Sequence, residues 1–120
     1  MNASLLARAA YSSAAEPIRT PKSAEYDVFA KVTASLRRAT TMPERARAIA
    51  DNRLLWITLA GDVAGDGNQL PSQVRARIFY LAQFVSEHSS KLLNSREDLT
   101  ALVDINTAIM AGLRQQGEPA

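Results

Sequence analysis

The chain holds one histidine, His88, and no cysteine. These two facts remove most nucleophile–base chemistry, every disulfide and every thiolate metal site. A metal at His88 would have to complete its shell from carboxylates alone. His88 instead falls at the edge of an apolar stripe, where a histidine ordinarily serves packing. The run Gly61-Asp62-Val63-Ala64-Gly65-Asp66-Gly67 has the glycine content of a phosphate or calcium loop. It lacks the Lys-Ser/Thr pair that the first needs, and the spaced ligands with a closing glutamate that the second needs. Glycines so placed read as a helix stop. No catalytic residue, cofactor site or metal site is therefore assigned, and no cofactor is expected.

Residue types suited to recognition remain. Arg37, Arg38, Arg45, Arg47 and Arg53 crowd the first half, yet the formal net charge is only +2. A charge run of this kind ordinarily forms a solvated face, with an acidic or RNA partner as the alternative. The low net charge argues against a dedicated nucleic-acid binder. On a helical wheel Arg53 and Asn106 fall in the middle of apolar arcs. Buried polar groups need partners. Such residues either fix helix register or, for arginine above all, anchor a binding partner. Asn52, Trp56 and Asn106 are given structural roles in the core, and Arg53 is kept as a partner-binding candidate. Phe79, Tyr80 and Phe84 join Arg53, because they lie off the main stripe of their helix. At 100° per residue, Phe79 and Phe84 stand roughly 140° and 280° from Val74. A bundle of this length can hardly enclose both, so at least one ring is expected to border a solvent-facing groove.

The elements that must position these residues are helical. The chain has 120 residues, of which 47% are apolar, enough for one domain and its core. Apolar residues recur with period 3.6, and no stretch alternates as a strand does. Five helices are expected, at about residues 3–15, 20–40, 43–64, 71–94 and 95–115. The first is alanine-rich and weakly amphipathic, prone to fray. The second starts at Thr20-Pro21 and carries the stripe Phe29, Val32, Leu36 and Ala39. The third starts at Pro43, with Ala46, Ile49, Trp56, Ile57, Ala60 and Val63 inward and Leu55 and Leu59 pointing elsewhere. The fourth starts at Pro71, with Val74, Ile78, Leu81, Val85 and Leu92 inward. The fifth opens on Ser95-Arg96-Glu97-Asp98, a variant capping box. The third and fourth helices are apolar on several sides, which predicts a central antiparallel pair with the others packed around it. The expected fold is an all-α, single-domain helical bundle. It spans residues 1–120, with an N-terminal helix and linker (1–20), a bundle of four long helices (21–115) and a tail (116–120).

No signal segment is evident, since Arg8 interrupts the opening apolar residues. No run approaches the roughly 20 apolar residues a membrane helix needs. A cytoplasmic location without membrane contact is expected.

Three ordered blocks give a family resemblance. They are Asp51-Asn52-Arg53-Leu54-Leu55-Trp56 with Leu59 and Asp62, then Gly67-Asn68-Gln69-Leu70-Pro71 with Arg75-Ala76, Leu81, Val85 and His88, then Asp104-Ile105-Asn106 with Ile109-Met110 and Gly112-Leu113. Upstream, Glu25-Tyr26 with Phe29, Val32 and Leu36 fits as well. Over about residues 25–113 the chain resembles the flagellar biosynthesis regulator FlaF family. The resemblance implies a non-enzymatic protein of flagellin production and export. It implies flagellin as partner and an FlbT-type regulator as functional counterpart. Helix-in-groove binding of an amphipathic flagellin end fits the spare apolar surface. An RNA-binding regulator of flagellin messenger is the alternative.

Overall fold

The computed structural model describes residues 21–65, 67 and 70–117. They form four α-helices, α1 (Pro21–Arg38), α2 (Met42–Ala64), α3 (Ser72–Leu93) and α4 (Thr100–Gly117), and among the described residues there is no strand. The all-α bundle predicted from periodicity is what forms. The helix expected at residues 3–15 lies outside the described residues.

Local chemistry sets the helix ends. Pro21 opens α1, where its missing N–H would have had no partner anyway. Thr41 caps α2: its hydroxyl accepts the Glu44 N–H at 3.2 Å, and the Glu44 carboxylate accepts the Thr41 N–H at 3.1 Å. Glu44 also accepts the Thr40 N–H at 3.0 Å and the Thr40 hydroxyl at 3.2 Å. The Thr40 backbone N–H first, then that of Thr41 and the Thr40 hydroxyl, lower its pKa to about 2. The helix therefore begins one residue before the expected Pro43. At its other end Gly65 stays extended, and its N–H reaches the Asp62 carbonyl at 3.2 Å. The left-handed residue of that turn is Gly67, at φ 87°.

Ser95 does not cap the last helix. Its hydroxyl accepts the Glu97 N–H at 3.2 Å, and the Asp98 carboxylate accepts the Thr100 N–H at 3.2 Å. Each is a bond two residues along the chain, so residues 95–98 form local turns and α4 starts at Thr100. It then runs to Gly117, beyond the expected end at residue 115.

The core gathers the predicted stripes of α1 and α3. Phe29, Leu36, Ile78, Val85 and Leu92 are buried, with Val32, Ala39, Val74 and Leu81 packed against them. On α2 the inward arc is rotated from the expected one. Leu55 and Leu59 are buried, at 3% and 4% exposure, whereas Ile57 is 55% exposed and Ala46 is exposed too. With Leu54, Leu55, Trp56, Ile57 and Leu59 so close together, no polar side marks the centre of the arc. Tertiary contacts decide it.

Packing also differs from a ring around a central pair. α2 packs closely on α3, α1 packs closely on α4, and a lesser α1–α2 contact joins the two pairs. Both pairs are antiparallel. From α2, Arg45 reaches the Glu97 carbonyl in the loop just after α3 at 2.7 Å, and Arg53 reaches Ser86 within α3 at 3.3 Å. On α1 and α4, Thr33 reaches the Met110 sulfur at 3.8 Å and Arg37, one turn further along α1, reaches Thr107 at 3.5 Å. Two pairs side by side leave faces of α2 and α3 uncovered. Among the described residues no helix is long and apolar enough to cross a membrane.

Candidate docking groove

A buried polar cluster fixes how three of the four helices meet. Asn106 of α4 accepts the Trp56 indole N–H at 2.8 Å. Its amide donates to the Asn52 carbonyl oxygen at 2.7 Å and to the Thr33 hydroxyl at 3.1 Å. Thr33 in turn donates to the Phe29 carbonyl at 2.6 Å. Phe29 also meets the Trp56 ring edge-on, with centroids 5.6 Å apart. Asn52 and Asn106 have no exposed surface, and Trp56 is 1% exposed. Pairing them inside the protein removes the penalty of burying amides and an indole N–H. The cluster ties α1, α2 and α4 in one register, and α3 contributes nothing to it.

α3 is held differently. Its stripe packs on α2, Arg53 donates to Ser86, and Arg45 grips the carbonyls of Ser95 and Glu97 in the following loop. Towards α4 it barely touches. Away from the loop that joins them, α3 and α4 therefore stand apart over a groove of about 480 Å³. Val74, Ile78 and Leu81 form one wall, and Ile105, Ala108 and Ile109 form the other. Leu59 of α2 forms part of the lining, and Leu70, Glu25 and Gly112 also border the groove. Arg77 and Asp104, both exposed, add one charge of each sign. The result is an apolar channel with a polar rim, suited to bind and without groups arranged for bond making.

The sequence-derived candidates separate onto two flanks of α3. Phe84 is 40% exposed and stacks on His88, with centroids 5.3 Å apart and rings 13° from parallel. It stands one turn beyond Leu81, on the flank that borders the groove. Phe79 and Tyr80, 49% and 71% exposed, border a shallow depression with Val63, Ala64 and Arg75. Arg53 is half-buried at the α2–α3 seam. The four partner-binding candidates are thus not brought together. The arginine cluster is dispersed as well. Arg45 and Arg53 bind across α2–α3, Arg47 lies 3.5 Å from Asp51, and Arg37 turns towards α4. Arg38 and Arg47 share a depression at the α1–α2 corner.

Sequence reasoning expected a solvent-facing groove beside Phe79 or Phe84 but did not identify the residues that wall it. Its walls read as ordinary stripe residues, because a stripe facing a gap has the same period as one facing a neighbour. Among the described residues no three His, Asp or Glu side chains gather in a metal-holding group.

A family model described as "Flagellar protein FlaF" matches residues 7–113. No curated protein and no solved structure matches the chain.

Proposed function

We propose, on the premise that this chain belongs to the FlaF family of flagellar proteins, that it binds flagellin without catalysis, promoting flagellin export and regulating its synthesis. An amphipathic helical end of flagellin lies in the α3–α4 groove. The observation that supports this reading is the open apolar channel between Val74–Leu81 and Ile105–Ile109. Helix-in-groove recognition needs such a channel, with anchors spaced by helical turns. Phe84 extends the α3 wall and offers an aromatic edge to the bound helix. The RNA-binding alternative draws on the arginine cluster, and the contacts of Arg45 and Arg53 within the chain favour structural work for those two side chains.

Ala108 is an exposed wall residue, so Ala108→Arg fills the groove with little effect on folding. Copurification with flagellin and with flagellin messenger, run in parallel, tests the proposal. Wild-type protein should retain flagellin and no messenger. Ala108→Arg should weaken flagellin binding at least ~10-fold, about 1.4 kcal/mol. Phe84→Ala should weaken it, and Phe79→Ala, on the other flank, should leave it unchanged. Unaltered flagellin binding by Ala108→Arg, or retention of messenger in place of flagellin, would overturn the reading.

A further inference from the structure

The groove lies away from the loop that joins α3 to α4, and Leu70, Gly112 and Glu25 border its open end. Glu25 lies in the second turn of α1, so the chain that precedes Pro21 arrives at this open end. Residues 16–20 reach at most about 17 Å when extended. A helix over residues 3–15 is about 20 Å long, against about 12 Å of α4 wall from Asp104 to Gly112. A linker of five residues is also an ordinary length for joining antiparallel neighbours in a bundle.

The composition of that segment fits the channel. On a wheel at 100° per residue, Leu5, Ala9, Leu6, Ala10, Ala14 and Ala7 share one broad arc that also holds Ser13, and Arg8 stands on the opposite side. Two leucines among alanines make a thin helix. The α4 wall is correspondingly low, built on Ala108 and Gly112, and a Cβ placed at Gly112 would meet nothing within 4 Å. The family match reaches back to residue 7, so most of the segment belongs to the matched body of the protein.

We propose that residues 3–15 dock as a helix in the α3–α4 groove when no partner is bound, as an internal competitor that flagellin must displace. The competition rests on the functional reading above, whereas the docking is a property of this chain alone. Leu5 and Leu6 enter between Val74–Leu81 and Ile105–Ile109, and Arg8 faces solvent. A docking constant of ~10 covers the groove in roughly nine molecules of ten and raises the apparent Kd for flagellin about tenfold.

Because the chain has no cysteine, Arg8→Cys gives a single attachment point for a nitroxide in the full-length protein. Amide signals of residues 74–81 and 105–112 should broaden, and Leu5→Asp with Leu6→Asp in the same background should abolish the broadening. Broadening centred on Phe79 and Tyr80, or none beyond the first turn of α1, would overturn the docking. The Leu5→Asp/Leu6→Asp protein should also bind flagellin roughly tenfold more tightly than wild type. Docking with no gain in affinity would overturn the competition. If neither form binds flagellin, the functional reading fails, and the broadening pattern alone decides whether the segment docks.

Discussion

Replacing Asn106 by leucine separates polar pairing from packing, since the two side chains are similar in size. Asn106 has no exposed surface and makes three hydrogen bonds, one accepted from Trp56 and two donated, to Asn52 and Thr33. Leucine leaves the Trp56 N–H and the Asn52 carbonyl oxygen buried without those bonds. Thr33 is spared, because its hydroxyl still donates to the Phe29 carbonyl. Two stranded groups at about 1–3 kcal/mol each give an expected loss of about 2–6 kcal/mol. That is a large share of the roughly 5–15 kcal/mol that holds a domain folded.

Asn52 provides the internal control. Its amide nitrogen is buried and has no hydrogen-bond partner among the described residues. Replacing Asn52 by leucine therefore removes an uncompensated donor together with one useful acceptor, and Asn106 keeps two of its bonds. The Asn52 variant should cost less than the Asn106 variant, by about 1–2 kcal/mol. Urea unfolding followed through Trp56, the single tryptophan, measures both. A cycle pairing Asn106→Leu with Trp56→Phe should show coupling of about 1 kcal/mol or more. An Asn106→Leu protein as stable as wild type, or an Asn52 variant costing the most, would refute the argument that the cluster stabilises the bundle.

Other expectations concern the surface. Thr41→Ala should destabilise by about 1 kcal/mol through loss of the α2 cap, read from the urea midpoint. The Glu44 contribution carries a sign in pH: with its pKa lowered to about 2, it is fully present above the ordinary carboxylate range and disappears as pH falls from about 4.5 through about 2. A side-chain NMR titration of Glu44 with a midpoint near 4.5 would contradict that cap. Neutralising Arg38 and Arg47, which share the depression at the α1–α2 corner away from the groove, should slow flagellin association and leave specific binding intact, since charges outside the contact act mainly on the association rate. Abolished binding with the fold intact would make the arginine face essential.

The α1 and α3 stripes were legible because their main apolar residues recur at helical period along one arc, even though α3 also carries Phe79 and Phe84 outside it. Phe29 and Leu36, and Ile78, Val85 and Leu92, are buried as period 3.6 requires. α2 was less legible, since its apolar residues run nearly all round and its orientation depends on where α1 and α3 lie. Thr41 and Glu44 stood in view as a cap, but Pro43 drew the helix start onto itself. Ser95 and Asp98 had cap spacing and used their oxygens for local turns instead. Asn106 was readable as a polar group in an apolar arc, and Trp56 as a core aromatic. That they bond to each other, with Asn52 and Thr33, depends on three helices meeting and has no signature within any one of them. The groove was the least legible part, because an absent neighbour leaves no mark on periodicity.

Gly112 shows how such a gap can be tested from a single residue. It stands inside α4, where glycine is less favourable than alanine by about 0.8–1.0 kcal/mol. Its φ is not positive, so no turn requires it. A Cβ there would meet nothing within 4 Å, so no close approach within the described residues requires it either. Gly112→Ala should therefore stabilise the bundle by about 0.5–1 kcal/mol, seen as a higher urea midpoint. The same methyl would sit at the open end of the groove, where a bound helix passes closest to α4. Flagellin affinity should then fall as stability rises, the opposition expected when a residue is kept for binding at a cost in folding. A stabilised variant with undiminished flagellin binding would show that this end of the channel takes no helix, and would confine any docking to the walls around Leu81 and Ile105.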